Sequence, residues 1–102
     1  MYKLIAYFTR PDNVEEFDTH YNETHSPLMA KVPGLESMTV CRNVRSFSGD
    51  APYYLIAEMQ FANKEAFKSA MSSEENKAAG KDLMSFAGSL VTMVHGEFDT
   101  VA

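Results

Sequence analysis

Two histidines and a tyrosine lie close together in the stretch THYNETHSPLMAKVPGLE, residues 19–36. Histidine is the side chain that ordinarily changes its charge near neutral pH, so His20 and His25 are candidate acids or bases. Tyr21 can donate a hydrogen bond to an oxyanion that develops during a reaction. These residue types suit acid–base chemistry.

The same histidines are poorly spaced for a metal ion. His20 and His25 are five residues apart, whereas two ligands on one helix prefer a spacing of three or four. His95 is a third imidazole in the chain, but no further cysteine, histidine or acidic pattern accompanies it. We therefore expect no metal, and no bound cofactor, because the glycine motifs that hold nucleotide phosphates are also missing.

The position of each histidine on its predicted helix decides what it can contact. On a projection of about 100° per residue, Phe17 and Tyr21 belong to the buried stripe. His25 lies at the edge that faces the gap between helix and sheet, and His20 lies at the opposite edge, half exposed. Two other interpretations stay open: His25, followed by Ser-Pro, is also typical of a helix C-terminal cap, and His20 of a surface residue. Burial would lower the pKa of His25 and the helix dipole would raise it, so the pattern does not fix the direction.

The element order indicates a ferredoxin-like α+β fold. Strands are predicted where aromatic and branched residues concentrate, at residues 2–9, 37–47, 53–62 and 89–98. A helix capped by Asp12 or Asn13 follows the first strand, and it should bend or end at Ser26, before Pro27. With a second helical region after the third strand, the order is β-α-β-β-α-β.

The second helical region contains two starts. Asn63 is a predicted cap, and Ser72 and Glu75 have the spacing of a capping box that opens a fresh helix. Gly88 ends this helix. Asp82, in its middle, is interpreted as a solvated surface residue.

The predicted strands are apolar on both faces. In the first strand the even-numbered residues form one apolar face, and Ile5 and Tyr7 lie on the other. In the third strand Tyr53 belongs to the apolar face, and Tyr54 and Ile56 to the opposite one. Two helices cover only one side of such a sheet. We therefore predict a homodimer that packs sheet to sheet.

The composition argues against several kinds of partner. The 102 residues suit a single domain over 1–102, and the net charge of −5 with scattered basic residues argues against nucleic acid. No apolar stretch approaches the roughly 20 residues that cross a membrane, and the first residues do not resemble a signal peptide. The single cysteine forms no intrachain disulfide. The expected location is the cytoplasm.

Two segments resemble the EthD family, small proteins associated with degradation of ethyl tert-butyl ether. The first is EEFDTHYNETHSPLMAKVPGL, with its His-x-Pro-Leu and Pro-Gly-Leu patterns, and the second is SSEENKAAGKDLMSFAG. The resemblance implies a dimeric α/β-barrel, in which two ferredoxin-like protomers face each other through their sheets. It also implies a cavity between each sheet and its helices, next to His25. The superfamily includes cofactor-independent monooxygenases, isomerases, polyketide cyclases and haem-degrading enzymes. Haem degraders use a pocket tryptophan, and this chain contains no tryptophan.

Two functions follow as hypotheses. The first is an oxidoreductase or isomerase without cofactor that acts on a small apolar carbonyl or aromatic compound. His25 would be its acid or base, and Tyr21, or a strand tyrosine such as Tyr7 or Tyr54, would bind the oxyanion. His20 and His95 are secondary candidates for the same pocket. The alternative is a carrier that binds a small apolar ligand for an oxygenase degradation pathway.

Overall fold

The computed structural model describes all 102 residues and contains one four-stranded antiparallel sheet. The strands lie in the order β2-β3-β1-β4, so β1 pairs with both β3 and β4. The strand bounds are Tyr2–Phe8 (β1), Leu35–Cys41 (β2), Leu55–Phe61 (β3) and Val91–Glu97 (β4). The helices cover one face of this sheet, and the predicted β-α-β-β-α-β ferredoxin-like fold is confirmed.

The period of two in β1 and β3 divides the sheet into a helix-covered face and an open face. Tyr2, Leu4, Ala6 and Phe8 are buried under the helices, and β3 buries alternate residues in the same way. Ile5 lies on the open face, paired with Val94 on one side and Glu58 on the other. No element of the chain packs on this face, so its apolar residues are only partly buried.

The second strand is shorter than predicted. The sequence pattern suggests a strand over residues 37–47, whereas β2 ends at Cys41. Asn43 has a φ of 54°, in the left-handed region, which turns the chain out of the extended conformation.

The first helical segment runs without a break from Val14 to Met29 in three parts. Asn13 caps α1 (Val14–His20), because its side chain accepts a hydrogen bond from the Glu16 N–H. A π-helical turn, Tyr21–His25, follows, and α2 (Ser26–Met29) completes the segment.

The prediction that Ser26 leaves helical geometry is wrong, since its φ and ψ are −59° and −42° and the helical segment does not end there. A proline ring normally clashes with the carbonyl four residues earlier and lacks the N–H that would bond to it. The wider π-turn ends at His25, two residues before Pro27, and leaves room for the proline ring.

The second helical region consists of α3 (Lys64–Met71) and α4 (Glu74–Ala87). Asn63 caps α3 as predicted, but Ser73, not Ser72, caps α4 by accepting from the Asn76 N–H at 3.1 Å. The hydroxyl of Ser72 instead donates back into the last turn of α3. Only Ser72 has a glutamate three residues on, so the capping-box pattern favours Ser72, and the end of α3 at Met71 makes Ser73 the cap instead. None of these helices combines the length and the apolar character that a membrane span requires.

Candidate functional site

A cavity of about 350 Å³ lies between the covered face of the sheet and the helices. Hydrophobic residues make up 13 of its 17 lining residues. The sheet supplies a smooth apolar wall from alternate residues of neighbouring strands, among them Leu4, Ala6, Ala57 and Met59. Its volume is at the lower end of the range for small-molecule sites, about 300–1,000 Å³. The arrangement suits a small apolar compound.

The π-turn places His25 in the wall of this cavity. The residue is only 4% exposed, and its Nδ1 lies 3.1 Å from Oδ2 of Asp82. With the carboxylate as acceptor, Nδ1 carries the proton, and this is the one hydrogen bond that the protein makes to the ring. The interpretation of His25 as a helix cap is wrong, because its ring bonds to a side chain of α4 and not to carbonyls at a helix end.

Burial lowers the pKa of His25, and the hydrogen bond and charge of Asp82 oppose that shift. The nearby His20 adds a smaller lowering effect. The net effect is a lowered pKa of His25, a direction that the sequence pattern did not fix. A ring with a lowered pKa is neutral at pH 7 and presents a free lone pair at Nε2, as a general base requires.

Asp82 joins the two histidines. Its Oδ1 accepts a hydrogen bond from Nε2 of His20 at 2.8 Å, while Oδ2 accepts from His25. The interpretation of Asp82 as a solvated residue is wrong, since its side chain is 14% exposed. Asp82 lies three residues after Ala79 and four before Phe86, so it shares their helix face. An acidic residue within an apolar stripe is the sequence signal that could have identified it.

His20 is half-exposed as predicted, but its ring reaches the same carboxylate as that of His25. In an α-helix, residues five apart are separated by about 140° around the axis, which is why His20 and His25 were expected at opposite edges. The π-turn between them has more residues per turn, so both rings reach one carboxylate. His20 is half-buried, packs on Phe86 at 4.2 Å between ring centroids and does not line the cavity.

Tyr21 lines the same end of the cavity as His25. It is 1% exposed, its ring stacks on Phe17, and its hydroxyl is buried without a hydrogen-bond partner. Burial raises the pKa of Tyr21 to about 12, with a smaller opposing effect of Arg42. The hydroxyl therefore stays protonated. An unpartnered buried hydroxyl costs about 1–3 kcal/mol, which a ligand acceptor would recover.

The remaining candidates separate into one that lines the cavity and two that do not. His95, on β4, lines it and bonds through Nδ1 to the hydroxyl of Tyr2 at 2.8 Å. Tyr7 lies on the open face of the sheet, against Tyr53. Tyr54 donates its hydroxyl hydrogen to Asp18 of α1.

The predicted faces of Tyr53 and Tyr54 are thus exchanged. Regular strand structure begins only at Leu55, so the alternation that was projected backwards does not hold. No three of the histidine, cysteine and acidic side chains are arranged to hold a metal ion.

Comparisons with known proteins agree with this architecture. The EthD domain model matches residues 13–89. The chain is 45% identical to an EthD family protein from Bacillus halodurans, over 97% of this chain and 99% of that one, with a TM-score of 0.92. It is 26% identical to a dimeric ferredoxin-like protein of unknown function from Bacteroides fragilis, over 95% of each chain, with a TM-score of 0.65. SnoaB, a cofactor-independent oxygenase from Streptomyces nogalater, is similar in fold: 21% identity, 97% and 91% of the two chains, and a TM-score of 0.63.

The resemblance noted in the sequence is thereby confirmed, as is the ferredoxin-like architecture. Several of the structural relatives are dimeric.

Proposed function

Because this chain belongs to the EthD family, and because a buried imidazole faces its cavity, we propose that it is an acid–base enzyme that needs no cofactor. Its substrate is a small, largely apolar carbonyl or aromatic compound. One observation carries the proposal: the His25 ring lines an apolar cavity, Asp82 holds it through Nδ1, and no group of the protein bonds to its Nε2. This is the geometry that a general base needs.

The proposed step is removal of a proton from the carbon next to the carbonyl group. Nε2 of His25 takes the proton, the electron pair of the C–H bond forms the enolate, and negative charge develops on the carbonyl oxygen. The hydroxyl of Tyr21 donates a hydrogen bond to that oxygen. Asp82 stabilises the imidazolium that forms, as a carboxylate does for a histidine base in hydrolytic triads.

Two fates of the enolate give the two reaction classes. Return of the proton from His25 to a different carbon makes the protein an isomerase. Attack of dioxygen on the carbanion, followed by protonation of the peroxide, makes it an oxygenase in which dioxygen is the oxidant. The fold shared with SnoaB, a cofactor-independent oxygenase, supports the second class.

A carrier is the second candidate function. The predominance of hydrophobic lining residues supports it, since apolar cavities retain ligands by excluding water. In that case His25 and Tyr21 orient the ligand and transfer no proton.

The test is deuterium exchange into benzylacetone, an apolar ketone with enolisable hydrogens, followed by NMR in deuterium oxide. We expect the native protein to accelerate exchange and His25→Gln to lower the enzymatic rate by about 10²-fold or more. His20→Gln is the matched control in the same helical segment. The exchange rate of this variant should fall at least roughly tenfold less than that of His25→Gln, because His20 supports the base and does not itself take the proton.

A native protein that binds benzylacetone without accelerating exchange would favour the carrier. Equal losses of exchange rate in the two histidine variants would contradict the role of His25 as the base.

The same proposal includes a homodimer that packs through the open face. Ile5, Tyr7, Ile56 and Val94 occupy this face, and dimeric relatives with the same fold support the arrangement. Ile5→Asp should convert the dimer to a monomer, since a charge would be buried in an apolar interface. Light scattering at micromolar concentration measures the mass, and a monomeric native protein would contradict the proposal.

A further inference from the structure

The cavity has polar groups at two separate ends. At the inner end, Tyr21 and His25 lie beside Phe8, whose ring centroid is 5.7 Å from that of Tyr21. At the other end, His95 of β4 lies opposite Leu4 of β1. Leu4 and Phe8 are four residues apart on one strand, which corresponds to about 13 Å at about 3.3 Å per residue.

The wall between these ends is apolar. Ala6 and Ala57 lie midway along the sheet, and Leu83 and Ala79 face them from α4. The one other polar side chain in the lining is Asn76, and its amide nitrogen donates to the carbonyl oxygen of Met71 at 3.2 Å. A ligand that fills this cavity therefore meets hydrogen-bonding groups at its ends and hydrocarbon along its length.

His95 is held in one orientation. Its Nδ1 lies 2.8 Å from the hydroxyl of Tyr2, and its ring packs on Phe67 at 4.8 Å between centroids. Tyr2 is buried, and Nδ1 is the one partner of its hydroxyl, so the phenol donates its hydrogen there. The proton of the neutral ring is then on Nε2, which has no partner in the protein. His95 is exposed, so Nε2–H is open to solvent and a ligand oxygen can replace water there.

We propose that His95 binds a second oxygen of the ligand, so that the substrate is an elongated apolar carbonyl compound with a hydroxyl or carbonyl oxygen at its far end. This inference rests on the proposed function, because the first carbonyl is the one that His25 and Tyr21 act on. A compound with a single polar end can enter an apolar cavity in either direction. The second hydrogen bond selects the direction that presents the enolisable carbon to His25.

The test compares two ketones that differ by one hydroxyl group, benzylacetone and its para-hydroxy derivative, in calorimetric titrations of the native protein. We expect the hydroxylated ketone to bind about tenfold more tightly, the effect of one net hydrogen bond of about 1.4 kcal/mol. Equal affinity for the two ketones would overturn the inference.

The variant His95→Phe keeps a ring against Phe67 and removes the nitrogen donor. We expect it to lose the preference for the hydroxylated ketone while its affinity for benzylacetone changes little. Met93→Ala is the matched control, since Met93 lines the cavity from the same strand without a polar group. It should weaken both ketones alike and keep the preference. A preference that survives in His95→Phe would overturn the inference.

The outcome is separable from that of the proposed function. A preference that depends on His95, without deuterium exchange, would support the two-ended ligand and reject the enzyme. Exchange that depends on His25, without any preference between the ketones, would support the enzyme and reject the role of His95.

Discussion

Asp82 and Asp18 make similar bonds in two different regions of the molecule. Each is an aspartate on a helix, and each carboxylate uses both of its oxygens. Asp82 accepts from His20 and His25 at 2.8 and 3.1 Å, whereas Asp18 accepts the hydroxyl of Tyr54 at 2.9 and 2.8 Å. The two carboxylates differ in what lies on the other side of the partner ring.

Beyond the His25 ring is the cavity, and its second nitrogen has no partner. Beyond the Tyr54 ring are Phe17 and the Arg10 guanidinium, and Tyr54 does not line the cavity. Asp18 therefore ties α1 to the start of β3, while Asp82 holds a ring that lines the cavity. In both regions an aromatic side chain bonds to a carboxylate. Only His25 has a second polar atom without a partner in the protein.

The largest expected difference between the two carboxylates appears when each is replaced by a neutral amide. Asp82→Asn should lower the rate of deuterium exchange by about 10²-fold, because His25 loses the group that sets its tautomer and stabilises its cation. The pKa of His25 should fall further, since burial is then unopposed, and NMR titration of the ring measures this. Asp18→Asn should leave exchange unchanged and lower the free energy of unfolding by about 1 kcal/mol. Equal effects of the two substitutions on the rate would contradict the assignment.

The two tyrosines allow a second contrast. Tyr21→Phe removes an unpartnered buried hydroxyl, so the free energy of unfolding should stay the same or rise by about 1 kcal/mol. Exchange should nevertheless fall by about tenfold or more, because the oxyanion loses its donor. Tyr54→Phe should do the reverse: the bond to Asp18 is lost, stability falls by about 1 kcal/mol, and exchange continues. Urea denaturation and the exchange assay together test the pair, and a destabilised Tyr21→Phe would contradict the prediction.

The smallest effect is the dependence of stability on pH. Burial lowers the pKa of folded His25 below its value of about 6.5 in the unfolded chain. Between these two values the unfolded chain binds more protons, so the free energy of unfolding rises with pH. The contribution is fully present above about pH 6.5 and is lost as the pH falls through the folded-state pKa.

His25→Gln removes this contribution. In urea denaturation from neutral pH down to about pH 5, the native protein should lose stability relative to the variant. Asp82 and His20 are the titratable groups that bear on the His25 ring, and both remain in the variant. Parallel curves for the two proteins would contradict the lowered pKa.

Several features could be predicted from the sequence because they depend on neighbours along the chain. Asn13 and Asn63 cap helices in the expected places, since a side chain three residues before a free N–H can accept from it. The alternation in β1 predicted which residues share a face, and the even-numbered ones are buried. His25 was expected to face the gap between helix and sheet, and it does.

Other features depend on distant parts of the chain. The exchange of Tyr53 and Tyr54 between faces follows from where β3 begins, and the register at Ser73 follows from where α3 ends. Asp82 is 57 positions from His25, and no local pattern links an acid in one helix to an imidazole in another.

The sequence by itself thus determined the order of elements, the division of each strand into two faces and the family, because all three follow from periodic apolar residues and short motifs. The tertiary structure alone decided that the segment Tyr21–His25 forms a π-turn and that His20 and His25 share Asp82. The physical reason is that π-turns are rare and no local sequence pattern favours one, so packing decides where it forms. The packing of two helices on one sheet brings the carboxylate to both rings.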